Sequence, residues 1–333
     1  MSAGSVVIGG ASGFMGRHLI RRWRAAGREV VTISRSGSDL DWSDHGGIAA
    51  AVDGAGLVVG LAGKSVNCRY TRANRDEIFR SRLETTAALG RAIAEATAPP
   101  PLWVNSSTAT IYRHAEDRPM TEADGELGSG FSVAVARAWE RELFARELPG
   151  TRRVALRSAI VLGGDPDGAG RGGGVLGPLA GLARLGLGGA QHDGAWPATP
   201  GRRAAGTAHL PGAMRGRQRF SWVHVEDVAR IIDFLERTPG LEGAVNAASP
   251  NPSDNATFMR TVRDVLGVRF GPPIPRWMLE LGAIGIGTET ELILKSRWVL
   301  PGRLRDAGFV FAHPELRGAI EESFGRSGVR LPG

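Results

Sequence analysis

Along the first half of the chain, short β-branched and apolar runs alternate with stretches whose apolar positions recur every three to four residues. "SVVIGG", "REVVTISR", "GLVVGLAG", "PLWVNSSTATIY" and "RRVALRSAIVLG" predict strands. "GFMGRHLIRRWRAAG", "GIAAAVDGA", "RDEIFRSRLETTAALGRAIAEAT" and "SVAVARAWERELFAREL" predict the helices between them, the first closed by Gly27. Strands that alternate with helices in this order make an α/β fold with a doubly wound parallel sheet. Such a sheet takes its ligands at the carboxyl ends of its strands.

After Gly163 the texture changes. Residues 164–217 are rich in Gly, Pro, Ala and Arg, with one helical stretch near "VLGPLAGLARLG". "FSWVHVEDVARIIDFLER" then reads as a strand or turn entering a helix, "GAVNAAS" as a strand and "NATFMRTVRDVLG" as a helix. From Pro272 the pattern is that of a small, mostly helical subdomain. The expected division is a nucleotide-binding core of residues 1–164 and 218–248, with 165–217 and 249–333 forming a substrate-side region and C-terminal subdomain.

Composition narrows the class without naming a partner. The chain has 333 residues, 42% hydrophobic and 23% charged, as in an ordinary soluble globular protein. A formal charge of +7 would suit a polyanion, but the arginines are scattered and no basic tail exists, so no nucleic-acid partner is expected. Only Lys64 and Lys295 among the 41 basic residues are lysines, which reads as GC-rich coding bias. No apolar run is long enough to span a bilayer, and the first strand begins too soon after Met1 for a signal peptide. The single cysteine, Cys68, cannot form an internal disulfide. A cytoplasmic protein without a membrane partner is therefore expected, and no Cys/His spacing predicts a metal site. Nothing in the sequence opposes a homodimer.

The first strand runs into Gly10-Ala11-Ser12-Gly13-Phe14-Met15-Gly16, a G-x-x-G-x-x-G turn opening a helix. Missing side chains let the turn's N–H groups approach a pyrophosphate, and the helix dipole favours its charge. This makes the core Rossmann-like. Gly10, Ser12, Gly13, Phe14, Met15 and Gly16 are the expected pyrophosphate contacts. The second strand ends in Ser34-Arg35-Ser36, where an NAD enzyme usually carries an acid for the ribose 2′-hydroxyl. A guanidinium between hydroxyls suits a 2′-phosphate, so the expected cofactor is NADP(H). Arg17 could support Arg35 or simply face water. Asp41 is placed for an adenine contact, and Leu61, Ala62 and Gly63 end the third strand beside the cofactor.

These residues resemble the extended short-chain dehydrogenase/reductases, and within them the atypical branch of nucleoside-diphosphate-sugar epimerase-like proteins with a C-terminal domain of unknown function. The resemblance is carried by "GGASGFMGRHL", "LAGKS", "RYT" leading to "SRLETT", "NSSTATIY", "LRSAIVLG", "LGLGG", "RFSWVHVEDVARII", "VNAASPNPSDNATF" and "RWVLPGRLRDAGFVFAHPEL". It implies NADP(H) binding and a substrate cleft under the C-terminal part. Where the family passes quickly from "LGLGG" to "RFSW", this chain inserts residues 190–216. The insertion has few apolar anchors beyond Trp196, and reads equally as a lid or as a surface excursion.

Most members of the superfamily use a Tyr-x-x-x-Lys pair, and this chain lacks it. Its tyrosines are Tyr70 and Tyr112, and neither lysine lies near enough in sequence. Aligning Glu140 with the family's trailing acid puts Ser132 and Ala136 in the pair's positions. The resemblance leaves Thr108 as the hydroxyl that would bind the reacting oxygen. Tyr112, four residues on, is the candidate proton donor, with a packed aromatic as its alternative. Lys64, Arg69 and Arg82, whose place usually faces the nicotinamide end, would together favour an anionic group on a small substrate. Arg157 and His224 complete the candidate substrate contacts, and Asp227 reads as the cap or orienter of a helix start. The expected activity is an NADP(H)-dependent oxidoreductase transferring hydride to or from a carbonyl, imine or activated alkene. An epimerase or dehydratase with tightly held cofactor is the alternative within the fold, and a non-catalytic NADPH-binding sensor or scaffold the alternative outside it.

Overall fold

The computed structural model describes residues 4–208 and 215–326. Its strands are β1 (Val6–Gly9), β2 (Val30–Ser34), β3 (Leu40–Asp41), β4 (Leu57–Gly60), β5 (Leu102–Thr108), β6 (Arg152–Ser158), β7 (Ile160–Leu162), β8 (Gly164–Asp165), β9 (Gly168–Gly172), β10 (Arg219–Phe220), β11 (Trp222–His224), β12 (Gly243–Ala247) and β13 (Ser253–Asp254). Its helices are α1 (Phe14–Ala25), α2 (His45–Val52), α3 (Arg72–Glu95), α4 (Phe131–Phe144), α5 (Leu176–Arg184), α6 (Pro200–Ala204), α7 (Val225–Arg237), α8 (Asn255–Leu266), α9 (Arg276–Ile286), α10 (Glu291–Leu294), α11 (Gly302–Asp306) and α12 (Leu316–Ser323).

Seven strands form one parallel sheet in the order β12-β6-β5-β4-β1-β2-β3. Alternate side chains leave opposite faces of a strand. Val6, Ile8, Val59, Val104 and Leu156 accordingly join Leu19 and Trp23 of α1 and Ile231 and Leu235 of α7 in one core. Val7, Val58, Trp103 and Ala155 join Ile48 of α2, Leu89 and Ile93 of α3 and Leu143 of α4 in the other. The expected doubly wound fold is present. Its switch point lies between β1 and β4, so the crevice for a ligand opens above the glycine turn. Among the described residues, no helix is long and apolar enough to cross a membrane.

A further core gathers Leu162, Leu176, Phe220, Phe258, Ile320 and Phe324, tying α5, α8 and α12 to β7, β10 and β11. The segment after Pro301 departs from the sequence-based division. Leu304 and Phe309 pack into the sheet core with α7 rather than into a separate helical unit. Their link is Asp227, fully buried, whose carboxylate accepts the N–H groups of Ala312 (2.7 Å) and His313 (2.9 Å). Asp227 therefore does not cap α7. His224 does, its Nδ1 accepting the Glu226 N–H at 3.3 Å.

The insertion is held by polar anchors that a count of apolar residues overlooks. Gln191 and Asn255 exchange hydrogen bonds at 2.8 and 2.7 Å, and Gln218 donates to the Gln191 carbonyl at 2.8 Å. Asp193 pairs with Arg276 at 2.8 Å, and Arg202 of α6 with Glu289 at 3.1 Å. Trp196 is half-buried. Residues 209–214 of the insertion lie outside the described residues.

Replacing Asp227 by Asn removes one acceptor from two buried N–H groups and turns an amide N–H toward them. Urea denaturation is expected to register a loss of about 2 kcal/mol. A change below about 0.5 kcal/mol would show that these bonds do not hold the C-terminal segment to the core.

Candidate functional site

Gly10 leaves β1 with a φ of +89°, a conformation that favours glycine. A Cβ there would come within 2.7 Å of the backbone of Leu61 and Ala62. A Cβ at Gly16 would stand 2.5 Å from the Gly10 carbonyl oxygen. These two absences let the turn lie flat on the end of β4 and let α1 lie on the turn. Gly13 caps α1 without a side-chain bond, and the first turn of α1 has no acid. The N–H groups at Phe14 and Met15 thus face an end of positive potential suited to a phosphate. Leu61, Ala62 and Gly63 form the opposite wall, and Gly63 lies over Arg82, whose Cγ and Cζ would stand 3.0 Å from an added Cβ.

The end of β2 is built from hydroxyls. Ser34 is buried and donates to the Ser36 carbonyl at 2.6 Å. Asp39 turns back to accept the Thr32 Oγ1 at 2.8 Å and the Thr32 N–H at 2.9 Å, which hold its carboxyl below the usual range. Asp41 accepts the N–H (2.9 Å) and the hydroxyl (2.7 Å) of Ser43, to the same effect. Arg35 is exposed and has no ion pair among the described residues. Beside it a cavity of about 580 Å³ is lined by Ser12, Arg17, Arg21, Arg24, Thr32 and Ser36, among others. Arg17, Arg21 and Arg24 recur at helical spacing along one face of α1, a signal the sequence carries and the reading above took up only at Arg17. Across the cavity mouth, Arg17 meets Asp165 at 3.4 Å and Asp167 at 3.1 Å from the β8–β9 turn. The residues present fit a dinucleotide with an added phosphate: a glycine cradle, an uncapped helix start and several guanidinium groups.

At the other end of the crevice, Thr108 closes β5 half-buried. Its Oγ1 accepts the Thr110 N–H at 3.2 Å. Tyr112 is brought elsewhere. It is 1% exposed, its hydroxyl donates to Asn246 Oδ1 at 3.0 Å, and it accepts from Arg157 at 2.9 Å. Burial keeps the phenol above its ordinary pKa, against the opposing pull of Arg157. Arg157 also grips Glu140 with two bonds of 2.8 Å, and Glu140 accepts the Ser107 hydroxyl at 2.6 Å. Ser107, Arg157 and Asn246 are register partners across β5, β6 and β12, which puts them in one row. This placement corrects two sequence expectations. Tyr112 and Arg157 spend their polar atoms on each other and on Glu140 and Asn246, and not on the crevice. Asn246 carried no local signal.

The remaining candidates divide. Arg82 lies under the loop after β4, donating to the Lys64 (3.0 Å) and Ile78 (3.1 Å) carbonyls, with burial lowering its pKa to about 10. It braces the loop and lies over the Trp139 ring at 4.9 Å. Arg69 is engaged by the Thr288 carbonyl and by Glu289. Lys64 is half-buried, its N–H bound to Ser81. His224 is 1% exposed and pairs with Glu322 at 2.7 Å, so its ring serves the helix cap and the C-terminal contact rather than the crevice. Ala136 is fully buried, and Ser132 stands in the first turn of α4 beside Tyr70.

Comparison with known proteins gives this geometry its kin. The NAD dependent epimerase/dehydratase family model matches residues 6–248, and a domain of unknown function, DUF1731, matches 274–323. The bovine epimerase family protein SDR39U1 is 32% identical over 331 residues, covering 95% of this chain and 98% of its own. The crystal structure of human SDR39U1 (isoform 2) with NADPH superposes with a TM-score of 0.79 at 29% identity, covering 96% of this chain and 99% of that one. The UDP-glucose 4-epimerase of Thermotoga maritima, solved with UDP-glucose, has a TM-score of 0.68 at 15% identity over 96% and 98% of the two chains, and shares the fold alone. With a glycine cradle at the switch point of its sheet and a family match across that whole region, the chain belongs to the NAD dependent epimerase/dehydratase family.

Proposed function

We propose that the protein is an NADP(H)-dependent oxidoreductase that exchanges its cofactor and acts on the carbonyl, imine or activated alkene of a small polar substrate. The observation that carries this reading is the end of β2. There Arg35 has no ion pair among the described residues, and the adjoining cavity is lined by Arg17, Arg21 and Arg24, with Asp167 against Arg17. The acids nearest in sequence, Asp39 and Asp41, are turned onto Thr32 and Ser43, Asp39 also standing 3.7 Å from Arg24. The human relative solved with NADPH supports the same choice.

Gly10 to Gly16 and the start of α1 would hold the pyrophosphate, Arg35 and Arg17 the 2′-phosphate, and Leu61 to Gly63 the remaining length of the dinucleotide. The bound nicotinamide supplies or accepts a hydride. Thr108, whose hydroxyl otherwise donates to Thr110 Oγ1 at 3.1 Å, would hydrogen-bond the reacting oxygen, positioning it rather than ionising. Tyr112, Arg157 and Glu140 keep the end of β5 rigid behind it. Ser132 and Ala136, where the usual pair would stand, favour a second reading in which NADPH is bound and not turned over. Oxidation of bound NADPH by any carbonyl compound decides against it.

NADPH is expected to bind at least tenfold tighter than NADH, about 1.4 kcal/mol, in titration calorimetry. Arg35→Asp should abolish the difference by weakening NADPH alone. Equal affinities in the unaltered protein would refute the assignment of Arg35.

Thr108→Val should lower turnover roughly 10²-fold with NADPH affinity unchanged. Tyr112→Phe should leave turnover within a few-fold and lower stability by about 1–2 kcal/mol, since it strips partners from Arg157 and Asn246. Loss of turnover in a fully stable Tyr112→Phe protein would return the proton donor to Tyr112.

A further inference from the structure

α9 is buried along one stripe only. Arg276, Glu280 and Ala283 face inward, Arg276 donating through Nε to Glu280 at 2.8 Å and through Nη1 to Asp193 at 2.8 Å. The rest of the helix surface carries Trp277, Met278, Leu281, Ile284 and Ile286, all exposed. The segment that enters α9 runs beside residues 185–191. A Cβ on Gly186 would stand 3.4 Å from the Phe270 ring, a Cβ on Gly189 would meet the Pro272 carbonyl, and Gln191 bridges to Ile274. On this ribbon Leu185, Leu187 and Phe270 are exposed as well. Eight of the twelve large apolar residues exposed among the described ones thus belong to α9 and the ribbon entering it. The other four, Val66, Leu127, Phe144 and Val310, lie on separate segments.

The area decides what this face is for. The eight residues are 37% to 76% exposed. At about 200 Å² for each such residue fully exposed, they present on the order of 900 Å² to solvent. The largest apolar patch on a monomer is roughly 300–600 Å². A stable protein pair buries about 800 Å² on each partner. The face is thus larger than a monomer leaves in water and matches one side of a protein–protein interface.

Charge decides the partner. Between Phe270 and Gly287 the only charged residues are Arg276 and Glu280, which are buried and bonded to each other. Arg184 and Arg269 stand only at the margin. Anionic lipid is held by basic residues on the binding face, and α9 exposes none. A charged protein partner would find nothing there to pair with. A two-fold contact sets a surface against itself, so it needs a face on which like charges do not meet. This face meets that condition. Gly282 and Gly285 are exposed on it, and a Cβ on either would meet no atom within 4 Å. Nothing inside the chain asks for their missing side chains, which weaken a helix. Beside the ridge of Trp277, Leu281 and Ile284 they leave a groove that the same ridge of a facing helix can enter.

We propose that the protein forms a two-fold dimer in which α9 packs across α9 of a second copy. Leu281 and Ile284 of each helix sit over Gly282 and Gly285 of the other, with Phe270, Leu185 and Leu187 at the flanks. This goes beyond the oxidoreductase reading and does not depend on it. It gives the segment matched by DUF1731, residues 274–323, a role in assembly.

The test is sedimentation equilibrium of the full chain from submicromolar to high micromolar concentration. Reversible association to twice the mass of the chain is expected. Leu281→Glu and Ile284→Arg change exposed side chains, so each should weaken association at least roughly tenfold while leaving the fold and NADPH affinity unchanged. Phe144→Glu, on the exposed side of α4, should leave association as it was. A monomer at every concentration, or a dimer that either α9 variant leaves intact, would overturn the proposal. Cosedimentation of the unaltered protein with phosphatidylserine vesicles, lost in Leu281→Glu, would assign the face to a membrane and would overturn it too.

Discussion

The contact on which the site depends is the approach of the turn after β1 to the backbone at the end of β4. It is so close that Gly10 can carry no side chain, and α1 lies so close on the turn that Gly16 can carry none either. Because the turn lies flat there, α1 starts immediately above the switch point of the sheet. The uncapped start of α1 and its arginine-lined face then point into the same crevice. A methyl group at Gly10 would meet Leu61 and Ala62 head-on while demanding a φ that L side chains rarely adopt. Any relief of that clash would tilt α1 and carry Arg17, Arg21 and Arg24 with it.

The opposite end of the crevice is organised by charge rather than by close approach. Glu140 reaches from α4 to Arg157 on β6, and Arg157 in turn holds Tyr112 and lies in one row with Ser107 and Asn246. A guanidinium in a partly buried place is tolerated when its donors are matched, and here Nε, Nη1 and Nη2 all have acceptors. Glu140 more than offsets the burial that would lower the pKa of Arg157, so the cation is permanent. Ser107, Glu140, Arg157, Tyr112 and Asn246 thus form one hydrogen-bonded row behind Thr108.

Much of the fold was legible because its causes are local. Alternating apolar runs and helical periods announced the parallel sheet. The glycine turn announced its own geometry, since a positive φ and a close approach both demand missing side chains. Arg35 is exposed and its immediate neighbours are hydroxyls, so its proposed role asks nothing of distant parts of the chain. The extra strand β3 was not read, being two residues long. The polar anchors of the insertion were not legible, because Gln191, Asp193 and Arg202 look like surface residues until Asn255, Arg276 and Glu289 are brought to them.

The sequence by itself determined where a dinucleotide phosphate can sit, because that site is made by consecutive residues whose backbone conformation is their own property. Only the tertiary structure decided what Tyr112, Arg157, His224 and Asp227 do, since a polar side chain is defined by its partner. Those partners lie far off along the chain: Asn246 is 134 residues from Tyr112, and Ala312 is 85 from Asp227.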